Sequence, residues 1–258
     1  MSDETVILER RGKIAWVTMN RPNTLNSLTP EMCEGLLSTF AKCEEDTETH
    51  VVVLCGTGKA FCAGGDLCTI ASLPDREAAR EYVRLAGRVS AAIINSVKPY
   101  IAAVAGAAAG AGFNIALACD FLCAAQSAKF TQAFSSIGLI SDCGGNMLLP
   151  ALVGPRTAKR LMMLPEKLSA REALALGIAT ELTEEEDPRA AAEALAGRLA
   201  VQPPLALARI KKMMNRGEEF ERTLCEEEEI QSELLMSEDC REGVRAFFEK
   251  RAAEFKGR

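Results

Sequence analysis

The sequence predicts an α/β fold in which parallel strands are joined by crossover helices and are followed by a helical region. Three observations support this class. Short apolar runs without polar alternation, typical of buried parallel strands, alternate with helical patterns in the first half of the chain. Glycine-rich segments follow two of these runs. From about residue 150 onward, the pattern is mostly helical.

The N-terminal part is predicted to contain strands and one well-marked helix. Residues 5–9 and 13–19 are strand-like runs on either side of an Arg-Gly turn. A Thr-Pro-Glu sequence at 29–31 is typical of a helix start with Thr as the N-cap, and this helix is expected to end near Glu45. Residues 51–55 form a short apolar run and are predicted as a buried strand.

The middle of the chain continues this alternation of helices and strands. A long helix is predicted over 75–95 and a buried strand over 100–104. Residues 105–118 begin as a glycine loop and continue as a helix, and residues 121–124 are again strand-like. Strands that alternate with helices are expected to lie parallel, because each helix carries the chain back across the sheet.

The C-terminal part is predicted to be helical. Ser169 and Glu172 form a capping-box pattern that opens a short helix, and Gly177 ends it. Further helices are expected near 188–200, 204–216, 218–236 and 238–254. The acidic run at 226–229 is predicted to be a solvated helix face.

Composition disfavours several classes of function. The 258-residue chain has a net charge of −6, which argues against binding to a phosphate backbone. The single histidine, His50, argues against a Ser-His-Asp or Cys-His nucleophile and a histidine-rich metal centre, so we expect no metal. The ten cysteines include no C-x-x-C pair. Since the sequence also shows no apolar run of about 18 residues and no signal-peptide pattern, we expect reduced thiols, no membrane span and a cytoplasmic location.

Two glycine-rich turns, at 56–66 and 106–112, each follow a predicted buried strand. Neither has the spacing of a phosphate-binding loop. Small residues let a backbone approach a ligand closely, and free N–H groups at a loop or helix start point toward negative charge. One N–H from each turn, directed at a single carbonyl oxygen, would form an oxyanion hole. Packing or turn geometry explains either turn equally well when it is taken alone.

An acid in an apolar, glycine-flanked stretch, Asp142, is the strongest candidate for proton chemistry. Its neighbours in sequence include Ile140, Met147, Leu148 and Leu149. Poor solvation among such residues raises the pKa of a carboxylate and makes it a better base. An Asp shortly before Gly-Gly is also a common turn or helix-cap residue, so the residues alone leave a structural role open.

Six segments, in order, resemble the crotonase superfamily of enoyl-CoA hydratases and isomerases. They are NRPNTLN at 20–26, KAFCAGGDL at 59–67, KPYIAAV at 98–104, ACD at 118–120, LSAREAL at 168–174 and FFEKR at 247–251. The resemblance implies a ββα-spiral core over 1–195, with an oxyanion hole and an acyl-CoA site. It implies a helical region over 196–258 for trimerisation and CoA adenine contacts, in trimers or dimers of trimers. The implied partner is an acyl-CoA thioester, with no separate cofactor, nucleic acid or membrane.

The resemblance also implies individual site residues. The oxyanion hole falls on the backbone N–H groups of Gly65 and Ala111, and Ala111 replaces a glycine common in the family. Substrate or CoA contacts are implied for Arg21, Leu25, Ala60, Ala63, Asp66, Leu67 and Phe134. Phe247 and Lys250 are implied at the adenine end, usually from a neighbouring subunit.

The two glutamates of hydratases in this family fall on Asn114 and Phe134, which cannot transfer a proton at neutral pH. Asp142 lies where isomerases keep a carboxylate, including enoyl-CoA isomerases and the ring-epoxide isomerase of phenylacetate degradation. The resemblance therefore implies an isomerase that shifts a double bond, or rearranges a ring-epoxide acyl-CoA, through an enolate. One carboxylate suffices, because it can remove the proton α to the thioester and return it at the γ carbon.

Other functions remain open at this point. In an enoyl-CoA hydratase or acyl-CoA hydrolase with atypical acid/base residues, Asp142 would activate water. A dehalogenase of this fold uses a tryptophan beside the aspartate, but the only tryptophan here is Trp16, in a predicted N-terminal strand. The non-enzyme alternative is a catalytically inactive CoA- or RNA-binding protein. Its best basic cluster is Lys211, Lys212 and Arg216.

Overall fold

The computed structural model describes residues 4–258. Within this range the strands are β1 (Val6–Arg11), β2 (Ile14–Met19), β3 (Val51–Gly56), β4 (Ala60–Cys62), β5 (Tyr100–Val104), β6 (Ala107–Ala109), β7 (Phe121–Ala125), β8 (Lys129–Thr131), β9 (Leu168–Ser169) and β10 (Glu181–Thr183). The helices are α1 (Pro30–Glu45), α2 (Leu67–Ala71), α3 (Arg76–Asn95), α4 (Ala111–Ala118), α5 (Gly145–Met163), α6 (Ala170–Ala175), α7 (Arg189–Ala200), α8 (Pro204–Asn215), α9 (Gly217–Leu234) and α10 (Glu238–Glu249). The predicted α/β class is confirmed.

The larger sheet has the strand order β1-β2-β3-β5-β7-β10. β1 and β2 form the predicted antiparallel pair, and Gly12 lies in their turn with a φ of +59°. From β2 to β10 every neighbouring pair is parallel, and the connections between them contain helices. All the strands that the sequence predicts lie in this sheet, while β10 was not predicted.

The smaller sheet, in the order β4-β6-β8-β9, has no counterpart in the sequence prediction. Its strands are two or three residues long, too short for side-chain periodicity to reveal them. β4 follows β3, β6 follows β5 and β8 follows β7, so three strands of the larger sheet each pass into a strand of the smaller one. Helices follow these pairs. This repeat of two strands and a helix is the ββα spiral that the resemblance implies.

Capping signals in the sequence are confirmed at two helix starts. Thr29 Oγ1 accepts a hydrogen bond from Met32 N at 3.3 Å, and α1 begins there. Ser169 and Glu172 form the predicted capping box of α6, and Gly177 follows its end with a φ of +74°. Residues within these helices therefore specify where they begin and end.

The larger sheet is covered by apolar layers on both faces. Along β3, Val52 and Leu54 point into the main core, which residues of α1, α3 and α4 also line. The alternate residues of β3, which are Val51, Val53 and Cys55, point to the opposite face and pack with α7. His50, just before β3, contributes to this second layer, because its Nδ1 lies 3.0 Å from the carbonyl oxygen of Ala200 at the end of α7.

Helix α9 packs along α3, and its acidic run is not the solvated face that the sequence predicts. Glu226 is exposed, but Glu227 is buried. Glu228 and Glu229 form ion pairs with arginines of α3, and the Nη2 atom of Arg84 lies 2.9 Å from Glu228 Oε1. Consecutive residues point in different directions around a helix, so a helix with one face on the core cannot solvate four acids in a row.

Two further findings concern possible partners. Lys211, part of the candidate basic cluster, is buried, and its Nζ donates to Asp120 Oδ2 at 2.7 Å and to the carbonyl oxygen of Lys98 at 2.8 Å. The cluster that an RNA-binding alternative would use is therefore incomplete at the surface.

Across residues 4–258, no helix is both long and apolar enough to cross a bilayer.

Candidate active site

The smaller sheet brings the two glycine turns together. β4 and β6 pair in parallel, so the segments that leave their carboxyl ends lie side by side. Gly64 follows β4 with a φ of +92°, and a Cβ atom there would lie 2.7 Å from the Ala109 carbonyl oxygen and 3.4 Å from Ala111 N. Only glycine tolerates this backbone angle and this contact together. The two turns therefore meet at Gly64, beside the predicted oxyanion-hole residue Ala111.

The predicted oxyanion-hole N–H groups of Gly65 and Ala111 both lie at this junction. Ala111 is the first residue of α4, where an N–H has no partner within the helix. The bridge between Leu28 and Gly65 uses the flanking Gly64 carbonyl and Asp66 N–H, and so leaves the N–H of Gly65 out of its hydrogen bonds. Two neighbouring N–H groups of this kind can stabilise negative charge on one oxygen atom.

Asp142 lies in the loop just before α5 and is 8% exposed. Its Oδ2 accepts a hydrogen bond from Gln231 Nε2 at 3.2 Å, while its Oδ1 has no partner among the described residues. Burial raises the pKa of Asp142 from an ordinary 3.8 to about 6, although the hydrogen bond from Gln231 opposes this shift. The carboxylate is therefore poorly solvated, and its Oδ1 is buried without a hydrogen-bond partner among the described residues.

A buried amide network attaches the Asp142 loop to the oxyanion-hole helix. Asn114, in the first turn of α4, donates through Nδ2 to the Asp142 carbonyl oxygen at 2.7 Å and to Ser141 Oγ at 2.9 Å. Its Oδ1 accepts from Gln132 Nε2 at 2.7 Å. Since Asn114 follows Ala111 by three residues on one helix, this network joins the backbone of the Asp142 loop to the first turn of α4.

Neither of the two hydratase positions carries an acid, and the structure gives both a different role. Asn114 is part of the network that holds the Asp142 loop, with both amide hydrogens in use. Phe134 is buried, and its ring lies 3.6 Å from the position of a Cβ atom on Gly110, the residue before Ala111. It forms an apolar wall beside Gly110 and the start of α4.

Cys143, which follows Asp142, is completely enclosed. Burial holds the pKa of its thiol well above the ordinary value, so the thiol stays protonated at neutral pH. A protonated thiol is a poor nucleophile. The thiol lies beside the Asp142 carboxylate and lowers the pKa of that group, and the single histidine that could activate the thiol lies elsewhere.

Several residues implied in the CoA path lie in two loops that hold each other. Leu25 is 42% exposed, and its carbonyl oxygen accepts from Ala63 N at 3.0 Å. Arg21 donates through Nη1 to Thr29 Oγ1 at 3.2 Å. Asn26, which sequence reasoning missed, is buried and donates through Nδ2 to the carbonyl oxygens of Thr57 and Ala60 at 2.9 Å. Asn26, the last residue of the NRPNTLN segment, therefore joins the two loops.

Other residues implied in substrate or CoA binding differ in exposure. Asp66 caps α2, because its carboxylate accepts from Thr69 N at 2.9 Å and from Ser27 Oγ at 2.8 Å. The Ala60 side chain is buried, whereas Ala63 and Leu67 are half-buried. Phe247 and Lys250, at the end of α10, are exposed and are open to a neighbouring chain. Their contacts with CoA stay predictions.

Helix α9 supplies two buried polar residues that sequence reasoning missed. Gln231 bonds both the N–H and the carbonyl oxygen of Ile140, at 3.1 and 2.9 Å, besides Asp142. Glu227 accepts from Gly144 N at 2.7 Å and from Asn146 N at 3.1 Å. Burial, aided by the nearby charge of Asp142, raises the pKa of Glu227 to about 7. The available signal was a polar residue at 227 and 231 within an apolar helical stripe.

Over the described range, no group of three or more His, Cys, Asp and Glu side chains is arranged to hold a metal ion.

The sequence and fold also match known proteins. Residues 9–258 match the sequence model of the enoyl-CoA hydratase/isomerase family. The chain is 39% identical over 251 residues to the 1,2-epoxyphenylacetyl-CoA isomerase of Escherichia coli, with 94% of each chain covered. It is 33% identical over 258 residues to the crotonyl-CoA hydratase of Syntrophomonas wolfei, with 99% of each covered. The crystal structure of an enoyl-CoA hydratase from Mycobacterium avium subsp. paratuberculosis superposes with a TM-score of 0.89 at 34% identity, covering 98% of both chains. The chain therefore belongs to the enoyl-CoA hydratase/isomerase family and has the crotonase fold.

Proposed function

We propose that this protein is an acyl-CoA isomerase in which Asp142 is the single acid/base residue. The observation that supports this most directly is the state of the Asp142 carboxyl group. It is buried, one oxygen is held by Gln231, and the other has no partner among the described residues. A carboxylate with a raised pKa and a free oxygen is suited to accept and return a proton near neutral pH.

In the proposed reaction, Asp142 removes a proton from the carbon α to the thioester of a 3-enoyl-CoA. The C–H electron pair moves into the adjacent carbon–carbon bond, and negative charge develops on the thioester oxygen. The N–H groups of Gly65 and Ala111 stabilise this oxygen. When the carbonyl re-forms, the double bond shifts and the γ carbon takes the proton back from Asp142. The product is the 2-enoyl-CoA isomer, with no atom gained or lost.

Hydration is the second candidate activity, and two observations weigh against it. Adding water requires a base for the water and an acid for the α carbon. Asn114 cannot fill either role, because an uncharged amide neither takes up nor releases a proton near neutral pH, and its amide hydrogens bind Ser141 and the Asp142 carbonyl oxygen instead. Phe134 offers only a hydrocarbon ring at the other hydratase position. A hydratase or hydrolase would have to use Asp142 alone to activate water.

The acyl group is proposed only as a class. A double-bond shift and a ring-epoxide rearrangement share an acyl-CoA thioester and an oxyanion at the carbonyl. The Escherichia coli relative is named for an epoxyphenylacetyl-CoA, and the other relative is named for a crotonyl-CoA. A panel of acyl-CoAs that contains 3-hexenoyl-CoA, 3-decenoyl-CoA and the ring epoxide of phenylacetyl-CoA would rank these substrates by kcat/KM.

The test of the proposed function is the Asp142→Asn variant with 3-hexenoyl-CoA. Loss of the only proton carrier is expected to lower kcat by roughly 10²- to 10⁴-fold. Product mass separates the two activities, since isomerisation leaves the mass unchanged and hydration adds one water. Asp187→Asn, an exposed Asp in a loop, is the matched control and should keep full activity. Unchanged turnover by Asp142→Asn, or a hydrated product from the wild type, would contradict the proposal.

Three remaining features are proposed together with this activity. We propose that the protein works without a cofactor, since CoA is part of the substrate, and that it works in the cytoplasm. We also propose that it forms trimers or dimers of trimers. The exposed apolar side chains on α8 support self-association, because a surface helix of a monomer seldom exposes several of them together.

A further inference from the structure

Helix α9 holds the Asp142 segment on both sides. Gln231 binds Ile140 through both backbone groups, two residues before Asp142. Glu227 lies one helical turn earlier and binds Gly144 N and the backbone and side chain of Asn146, just after Asp142. Both side chains are buried. The loop that carries the proposed acid/base residue is therefore fixed by a helix from the C-terminal region.

The two carboxylate oxygens of Asp142 differ in their hydrogen bonds. Gln231 Nε2 donates to Oδ2 at 3.2 Å, and no described residue donates to Oδ1. The same Gln231 amide cannot rotate away without giving up its two bonds to Ile140. Its orientation is thus set by the backbone, and it sets the orientation of the carboxyl group in turn.

We propose that Gln231 is a positioning residue of the acid/base site, which holds Asp142 Oδ2 and the Ile140 backbone so that Oδ1 alone exchanges the proton with the substrate. This inference rests on the proposed function of Asp142. It assigns the C-terminal helical region a role in the proton transfer, in addition to the roles in assembly and CoA contact that the resemblance implies.

Ion pairs with α3 fix α9 in the position that this role requires. Arg76 Nη2 lies 2.6 Å from Glu229 Oε1, and Arg84 Nη2 lies 2.9 Å from Glu228 Oε1. Leu224 of α9 also packs against Gly87 of α3, where a Cβ atom would lie 3.4 Å from its methyl group. The helix that carries Gln231 is therefore held by charge pairs at its surface and by close packing beneath them.

Other titratable groups lie near Asp142 and bear on the pH dependence of the reaction. They are Glu227 on α9, Tyr82 on α3, Cys33 on α1 and Cys143 in the loop itself. Burial raises the pKa of Cys33 to about 12 and holds the pKa values of Tyr82 and Cys143 well above their ordinary values. These three groups are neutral where Asp142 titrates, so Glu227 is the neighbour that must be controlled.

The test compares Gln231→Met and Gln231→Glu with the wild type in the full-length protein, using 3-hexenoyl-CoA. Both variants lose the donor to Asp142 Oδ2, and a hydrogen bond to a carboxylate favours its ionised form. We expect the acidic limb of kcat/KM to move upward by about one pH unit in Gln231→Met and further in Gln231→Glu. We also expect kcat to fall by roughly tenfold or more with little change in KM.

Controls separate positioning from folding and from the neighbouring acid. Glu226→Gln alters an exposed residue of the same helix and should keep the wild-type pH profile. Gln231→Met is also measured in a Glu227→Gln background. If the acidic limb of kcat/KM shifts by the same amount there, the group that titrates in this limb is Asp142. Gln231→Glu has nearly the same shape as the wild-type side chain. It can therefore be used for the test if Gln231→Met unfolds at too low a temperature. Folded variants that keep the wild-type kcat and acidic limb would overturn the inference.

The inference and the proposed function can fail separately. If Asp142→Asn abolishes isomerisation while the Gln231 variants behave as wild type, Asp142 is the acid/base residue but Gln231 does not position it. If Asp142→Asn retains turnover, the proposed function itself is wrong, and any effect of the Gln231 variants is then structural.

Discussion

At the residue scale, Asn114 holds the loop that carries Asp142. Asn114 donates to the carbonyl oxygen of Asp142 at 2.7 Å, which a carboxylate in the same place cannot do. The amide therefore stabilises the loop that holds the one remaining acid. Asp142 was predictable from its apolar neighbours in sequence. Gln231 was not, because it lies 89 positions away and meets Asp142 only in the folded chain.

The raised pKa of Asp142 gives a prediction for stability. The folded protein binds this proton more tightly than the unfolded chain, because the folded pKa is about 6 and the ordinary value is 3.8. The contribution of Asp142 to the free energy of unfolding is therefore fully present below the ordinary value and is lost as the pH rises through about 6. Above that pH, the buried charge destabilises the protein by on the order of 2–3 kcal/mol.

Asp142→Asn, which cannot ionise, should accordingly be more stable than the wild type above pH 6, and the difference should shrink as the pH falls toward 4. Denaturant unfolding of both proteins across this range measures the difference. A difference that is constant with pH would show that Asp142 keeps an ordinary pKa in the folded protein.

At the scale of helices and strands, the strength of the local sequence pattern explains which elements of the fold could be predicted. Thr29 and Ser169 begin helices through bonds to residues three positions away, and both starts were predicted. β4 and β6 contain three residues each, and they form through pairing with each other and, for β6, with β8. The glycine turns predicted an oxyanion hole, but the sheet that joins these turns could not be predicted from the sequence.

The close approach of these two turns can be tested at Gly64. Gly64→Ala would place a Cβ atom 2.7 Å from the Ala109 carbonyl oxygen and should push the turns apart. Because the oxyanion hole needs one N–H from each turn, we expect kcat/KM to fall by roughly 10²-fold or more.

Gly12→Ala is the matched control for this variant. Gly12 also has a positive φ, +59°, but nothing lies within 4 Å of its would-be Cβ. This control should cost about 1–2 kcal/mol of stability and leave the kinetics unchanged. Equal kinetic effects of Gly64→Ala and Gly12→Ala would show that the contact between the turns does not matter for catalysis.

At the scale of the whole molecule, the C-terminal region both completes the site and exposes an apolar surface. The predicted boundary between residues 195 and 196 falls inside α7, and beyond it α9 returns to the core and binds the Asp142 loop. Helix α8 instead exposes large apolar side chains, with Leu205 and Met213 each 80% exposed. The α9 residues that bind the Asp142 loop are needed within one chain. The exposed apolar residues of α8 predict contact with another chain.

Self-association through α8 predicts a mass of three or six chains in light scattering. Met213→Glu would place a charge in the proposed interface and should shift the protein toward smaller species. Leu174→Glu, which alters an exposed leucine on α6, is the control and should leave the mass unchanged. A wild-type protein that remains a single 27.7 kDa chain at micromolar concentration would contradict the proposed assembly.

The central claim is that one carboxylate carries out both proton transfers, and label transfer tests it most directly. Asp142 is 8% exposed, so a proton taken from the substrate should return before it exchanges with water. Turnover of 3-hexenoyl-CoA deuterated at C2 should therefore give the 2-enoyl isomer with part of the deuterium at C4, and Asp142→Asn should give neither product nor transfer. Product whose C4 hydrogen comes only from water, formed equally by the wild type and Asp142→Asn, would contradict the claim.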